Sequence, residues 1–291
     1  MPRVLSFTVP PEYDGKKAIT FLRSRCGVSS RLIGKLKRVE NGITMDGSPL
    51  RTVDLLKAGS TVAICVPDTG ETPVPIAAPL NILYEDSDVM VINKSPFMAM
   101  HPTHNHQGDT LANAVAAHLM EKGQSGSFRA VGRLDKGTSG TVVCALNKYA
   151  ASKLNGTVEK EYVALVQGDL PDCGTVSVPI YRPDPMKTLR ACSEELGVEP
   201  AVTHWTVEQR FDGLTLIRLR LETGRTHQIR VHMAHIGHPL AGDNMYGDCL
   251  PEMGHQLLHC RRCTFIHPVT GEKMSFTADF FEDFKSILEK L

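Results

Sequence analysis

The chain has 291 residues, 42% of them hydrophobic, and its 32 Lys/Arg balance 32 Asp/Glu. That size fills one large core, or a large and a small one, and apolar runs such as "TVVCAL" and "TVAICV" are far shorter than the ~20 residues of a membrane span. The opening "MPRVLSFTVPPEYDGKK" lacks the apolar core of a secretory signal, and eight scattered cysteines suit a reducing compartment, so a cytoplasmic protein without disulfides is expected.

The charge is unevenly placed. Residues 1–75 hold 11 Lys/Arg against 7 Asp/Glu, a net of +4, which leaves 21 against 25, or −4, for residues 76–291. In the basic part, "KKAITFLRSR" and "SSRLIGKLKRV" read as two short helices, the second with Ser29 or Ser30 as N-cap, followed by short strands near "GITMDG" and "STVAICV". Arg31, Lys35 and Arg38 fall at i, i+4 and i+7 on the second helix. Such a face either lies in solvent or meets RNA phosphates. The segment resembles the small RNA-binding module of a ribosomal small-subunit protein and of tyrosyl-tRNA synthetases: "NGITMDGSPL" and "LKAGSTVAICV" keep its spacing, although Ser60 stands where the module often has an acid. An α/β RNA-binding domain is expected over residues 1–66.

"PDTGETPVPIAAP", residues 67–79, has four prolines and no hydrophobic periodicity, which predicts an extended, semi-rigid linker. Residues 80–291 then form a second domain. Strand-like runs ("DVMVINKS", "GTVVCALN", "KEYVALVQGDL", "GLTLIRLRLETG", "KMSFTADF") outnumber helical ones ("TLANAVAAHLME", the segment after "TGR", "FFEDFKSILEKL"). The pattern predicts an α+β fold. There is no Gly-rich nucleotide fingerprint, Walker sequence or G-x-S-x-G elbow, and no internal repeat.

Three His/Cys groups invite a metal. "HPTHNH" offers His101, His104 and His106; "HMAHIGH" spaces His232, His235 and His238 by three; "HCRRC" sets Cys260 and Cys263 near His255 and His259. Histidines at successive i+3 steps drift around a helix, and a single C-x-x-C lacks its second pair, so no metal site is expected. No cysteine sits in a recognisable nucleophile signature.

The most informative stretches are "GRLDKGTSG", residues 132–140, and "LETGRTHQIRVHMAHIGHPLAGDNMYG", residues 221–247. "RLDKGTSG", then "KEYVALVQG", then the long block around Arg230, in that order, resemble the RluA-type pseudouridine synthases over essentially all of residues 80–291. The closing "LLHCRRCTFIHPVTGEKMSFTADF" continues the likeness. The resemblance implies a mixed, mostly antiparallel central sheet with flanking helices. It also implies isomerisation of uridine within ribosomal or transfer RNA: the base is detached from its ribose, turned and rejoined through carbon 5, without a cofactor. The expected form is a monomer, with RNA as partner and no membrane.

On this resemblance Asp135 matches the catalytic aspartate, which adds to the sugar or removes a ribose proton and must therefore stay ionised. Arg230 matches the arginine that favours its charged form. Tyr162 matches the aromatic residue lying against the uracil, Ile229 the apolar position beside it, and Arg133 the arginine implicated in the place the flipped nucleotide leaves. Thr138, Arg225, His227 and Gln228 join the expected substrate-binding set. Each of the principal residues has a plainer reading when taken singly: Asp135 as a turn aspartate bonding its own backbone, Tyr162 as a half-buried strand residue, Arg230 as a surface-paired helix residue. The motif departs from the family at Gly132, where a histidine is usual and where relatives of the RsuA type have glycine. Two other functions fit parts of the sequence: a non-catalytic RNA-binding or chaperone protein with an inert synthase-like domain, and a metal-dependent deaminase, whose P-C-x-x-C pattern is absent.

Overall fold

The computed structural model describes residues 2–67, 72–103, 107–247 and 254–291. Strands β1 (Arg3–Thr8), β2 (Ile43–Met45), β3 (Ser48–Pro49) and β4 (Thr61–Val66) make a four-stranded sheet in the order β1-β4-β2-β3. Helices α1 (Ala18–Ser24) and α2 (Ser30–Leu36) add Phe21, Leu22, Leu32, Ile33 and Leu36 to its core, beside Val62 and Ile64. Ser29 caps α2 by accepting from the Leu32 amide. The helix ends at Leu36, earlier than its charge spacing predicts, and the Arg38 amide bonds back to the Lys35 carbonyl in a tightened turn. Arg31 and Lys35 thus share the helix, while Arg38 stands in the turn beyond it.

The second sheet has ten strands: β5 (Asn81–Glu85), β6 (Val89–Lys94), β7 (Ala130–Val131), β8 (Ser139–Ala145), β9 (Glu159–Gln167), β10 (Cys173–Val176), β13 (Thr203–Arg210), β14 (Leu214–Leu221), β15 (Leu258–Ile266) and β16 (Lys273–Thr277). A separate hairpin joins β11 (Ile180–Tyr181) to β12 (Ala191–Cys192). The main path runs β10-β13-β14-β9-β15-β8-β6-β5, with β16 on β15 and β7 on β8. Every pairing in it is antiparallel except β15 with β8, so the α+β expectation holds. Gly140 permits that parallel contact: a Cβ there would lie 2.2 Å from the Cys260 carbonyl oxygen.

Alternation along the strands feeds cores on both faces. Met90, Ile92, Val142, Cys144, Tyr162 and Ala164 pack with α3 (Leu111–Glu121) and α5 (Gln228–His235). Val89, Val91, Val143 and Ala145 face α4 (Lys148–Leu154), and Val163 and Leu165 face α6 (Glu282–Lys290). With both faces covered, β6 and β8 are buried at every residue, which is why each carries a run of consecutive apolar residues in place of a clean alternation.

The two sheets meet through specific groups. Arg3 donates from Nε and Nη2 to the Asp88 carboxylate at 3.0 and 2.7 Å, and Asn147, the N-cap of α4, donates to the same carboxylate at 2.7 Å. Tyr149 on α4 reaches into the core of the N-terminal sheet and donates to the Cys26 carbonyl at 2.8 Å. The described part of the Pro-rich stretch is irregular and lies along α3, where the Asn113 side chain donates to the Val74 carbonyl. Among the described residues no disulfide forms, and no helix is long and apolar enough to cross a membrane.

Candidate active site

Asp135 lies in the turn joining β7 to β8, which closes with the Thr138 amide donating to the Asp135 carbonyl at 3.1 Å. The carboxylate makes no hydrogen bond within that turn, unlike an ordinary turn aspartate. It looks into a cleft lined by Arg133, Leu134, Asp135, Thr138, Tyr162, Leu221, Arg225, His227, Gln228, Ile229, Arg230 and Leu258. All nine residues expected from the three stretches of the second domain therefore converge on one cavity, although β9 and α5 are far apart in sequence.

Arg230 is only 5% exposed, so the surface-paired reading fails. Its Nε and Nη2 both donate to Asp243, at 2.7 Å each, and Asp243 is fully buried. Nη1 is left facing Asp135 Oδ2 at 3.7 Å. The Tyr246 ring lies 5.1 Å from the guanidinium carbon. Burial works against the arginine's charge, but the hydrogen bonds and charge of Asp243, with Asp135 adding to them, raise its pKa on balance. The site thus holds a permanent cation on a rigid fork, with one edge turned to Asp135.

Asp243 and Tyr246 received no role from the sequence, although both stand in the quoted block. An acid and an aromatic just beyond the arginine were the only signal. Tyr246 also ties the rim together, accepting from the Arg190 amide at 2.8 Å and lying 2.9 Å from His227 Nδ1. His227 adopts left-handed backbone at φ 58°, which ends the "TGRTH" loop and starts α5. Burial depresses its pKa against the opposing pull of Asp135, while Arg230 and Arg190 depress it further, so the imidazole is neutral at pH 7.

Tyr162 is buried on the α5 face of β9, paired across strands with Leu219 and Cys260. Burial, with Cys260 and Asp135 nearby, pushes its phenol well above the usual 10. It offers a ring and a protonated hydroxyl at neutral pH rather than a phenolate. Ile229 packs in the same core. Gln228 lines the cleft, but its amide serves the scaffold: Nε2 donates to Val202 O and Thr203 Oγ1, and Oε1 accepts from Thr223 and Arg225. Thr138 is likewise buried, its hydroxyl accepting from Gln256 at 3.2 Å. Arg133 and Arg225 are exposed at the rim, Arg225 bonded to the Pro200 carbonyl.

Lys94 also went unread. It is 1% exposed at the end of β6, and its ammonium donates to the carbonyls of Ser95, Met98 and Lys136, the last in the Asp135 turn. Burial pulls its pKa down to about 7, opposed by the charge of Asp135.

Among the described residues most histidines of the three His/Cys groups are bonded to protein groups. His232 is a satisfied core residue bonded to Thr203 and the Val178 carbonyl, and His235 is exposed. His238 meets the Gln167 carbonyl, His255 meets Asp283, and His259 meets Ser139 and the Ala278 carbonyl. His104 and His106 lie outside the described residues. Asp86, Asp88 and His267 do cluster, but the Arg3 guanidinium already occupies Asp88, His267 Nδ1 accepts from the Thr270 amide, and His267 Nε2 lies 2.9 Å from Asp86 Oδ2. Arg3 is the cation the structure places in that cluster.

A family model described as RNA pseudouridylate synthase matches residues 88–235. The chain is 37% identical, over 90% of its length and 95% of that protein, to "Uncharacterized RNA pseudouridine synthase YjbO" of Bacillus subtilis. It is 40% identical, over 73% of its length and 71% of that protein, to "Ribosomal large subunit pseudouridine synthase D" of Haemophilus influenzae. Among solved structures, Human RNA Pseudouridylate Synthase Domain Containing 1 superposes with a TM-score of 0.57 at 25% identity, covering 75% of this chain and 89% of that one. Fold and cleft thus define an RNA-modifying isomerase. The chain belongs to the RNA pseudouridine synthase family, in its RluA-type branch, and converts uridine in RNA to pseudouridine.

Proposed function

We propose that the substrate is large-subunit ribosomal RNA, and that Asp135 carries the chemistry on a uridine flipped into the cleft. The likeness to the Haemophilus influenzae ribosomal enzyme supports the substrate. The observation that carries the catalytic assignment is an Asp135 carboxylate free of its own turn and facing Arg230, itself locked on buried Asp243. Whether Asp135 adds to the sugar or takes a ribose proton, the carboxylate must be ionised, and a fixed guanidinium favours that form. Tyr162 lies against the uracil with Ile229 beside it, and Arg133 enters the space the base vacates. Thr138 and Gln228 hold the walls, while Arg225 and His227 contact the substrate at the rim. The basic residues Arg31, Lys35 and Arg38 make residues 1–66 a second RNA-holding surface, linked through 67–79 to the catalytic domain at 80–291. The enzyme acts in the cytoplasm and without cofactor, and as a monomer, a form supported by one chain supplying every residue of the cleft.

Pseudouridine mapping of ribosomal and transfer RNA with and without the gene identifies the substrate: a ribosomal site should disappear, whereas loss confined to transfer RNA would overturn that half of the proposal. For the catalytic half, Asp135→Asn keeps size and removes charge. Pseudouridine formation should drop on the order of 10⁴-fold or more while RNA binding persists, because affinity comes mainly from phosphate contacts and stacking. Wild-type turnover by the folded variant would remove the assignment.

A further inference from the structure

Outside the residues already assigned, one cation at the cleft mouth has no partner. Lys160 lies on β9 two residues before Tyr162, so the two side chains leave the same face of the sheet. It is half-buried, and among the described residues no carboxylate or hydrogen-bond acceptor meets its ammonium. The titratable groups that feel its charge are Cys144, Cys260 and Cys263; burial raises all three thiols, Cys144 and Cys263 to about 12, so none of them neutralises it. The two acids flanking it on the strand are Glu159, which is exposed, and Glu161, which is taken by Arg220 at 2.9 Å.

The ammonium sits over the backbone that leads into the catalytic turn. A Cβ at Gly132 would lie 3.0 Å from Lys160 Nζ, and Gly132 has φ +77°, a conformation that favours glycine. Position 132 therefore leaves the space above the chain to the lysine. The next residue, Arg133, is exposed, with no hydrogen-bond or ion-pair partner among the described residues. Two unpaired cations thus flank the path into the cleft, one of them partly desolvated, and a partly desolvated cation is stabilised when an anion meets it.

We propose that Lys160 binds a backbone phosphate of the RNA next to the flipped uridine, beside the turn that carries Arg133 and Asp135. This rests on the reading of Asp135 and its cleft as the uridine site. The anion is a phosphodiester because the substrate is RNA and a flipped nucleotide carries one phosphate on each side.

The test measures binding of a short fluorescein-labelled oligouridine over a range of salt, with Asp135→Asn as the parent so that no turnover occurs. Lys160→Met, which keeps the apolar stem, should weaken binding roughly threefold at low salt and make the slope of log affinity against log salt shallower by about 0.7. Lys160→Arg should restore the parental slope, which a purely packing role would not require. A parental slope in a folded Lys160→Met protein would overturn the proposal, as would a shallow slope that Lys160→Arg leaves shallow. If oligouridine binds the parent but the wild-type enzyme isomerises no RNA, the assignment of Asp135 fails while the Lys160 result still stands or falls by its slope.

Discussion

Residues 3–66 enclose one core around a four-stranded sheet and need Tyr149 from the other region to complete it. The ten-stranded sheet is covered on both faces and has cores of its own on each. The charges differ in the same sense. Arg31 and Arg38 lie exposed on the small sheet's side, whereas Arg230, Asp243 and Lys94 are buried in the large one and bonded on several sides. An exposed cation contributes to RNA affinity through counterion release and is screened by salt. A buried, bonded one cannot be removed without stranding its partner. The small region is therefore suited to holding RNA, and the large one to fixing the geometry of a reaction.

Four variants sharpen or break that contrast. Asp243→Ala should have the largest effect, because it leaves the Arg230 charge buried without its bidentate partner: about 3–5 kcal/mol of stability lost in denaturant titration, with activity lost as well. Near-normal stability would mean Arg230 can relax to Asp135 or to water, and the cleft would be less rigid than its geometry indicates. Tyr149→Ala should cost roughly as much, about 3–5 kcal/mol, but in the small region. The melting of residues 1–66 should separate from that of the catalytic sheet, and a single unchanged transition would show that the two regions do not depend on this side chain.

Lys94→Met should cost about 1–3 kcal/mol by leaving carbonyls of Ser95, Met98 and Lys136 without their donor. Its pH signature is more specific. The folded pKa is about 7, below the unfolded value of 10.5, so between those values the unfolded chain binds more protons and the wild type gains stability as pH rises. The methionine variant should lack that rise. Equal slopes for both proteins over pH 7 to 10 would contradict a depressed lysine. The smallest effect is expected from Arg31→Gln, Lys35→Gln and Arg38→Gln combined. Stability should stay within about 0.5 kcal/mol, and the salt dependence of RNA binding should become shallower by about 0.9 for each phosphate no longer met. An unchanged slope would show that the small region does not hold RNA through these residues.

Local chemistry made much of this legible in the sequence. Ser29 could be read as a cap because its side chain can bond the amide three residues on, and it does so; Thr110 caps α3 in the same way without having been singled out. The buried strands β6, β8 and β9 showed as apolar runs for the same reason they pack on two faces. Strands β1, β5 and β13 escaped, since each is half exposed and owes its extension to the strand beside it. Helix α4, with a single turn or two of weak periodicity, was missed as well, and with it Tyr149.

The sequence by itself determined the chemistry available: three stretches brought an aspartate, a tyrosine and an arginine, and their order identified the family. Only the tertiary structure decided how those groups are held. Asp243 could not be chosen over the other acids of its block, because a buried ion pair depends on where two backbones bring their side chains, and spacing along the chain does not record that. Nothing in the sequence separates Lys94 from Lys160, yet one is enclosed by three carbonyls and the other stands half-buried over Gly132. Burial is a property of the folded neighbourhood, and it is burial that turns an ordinary charge into a positioned one.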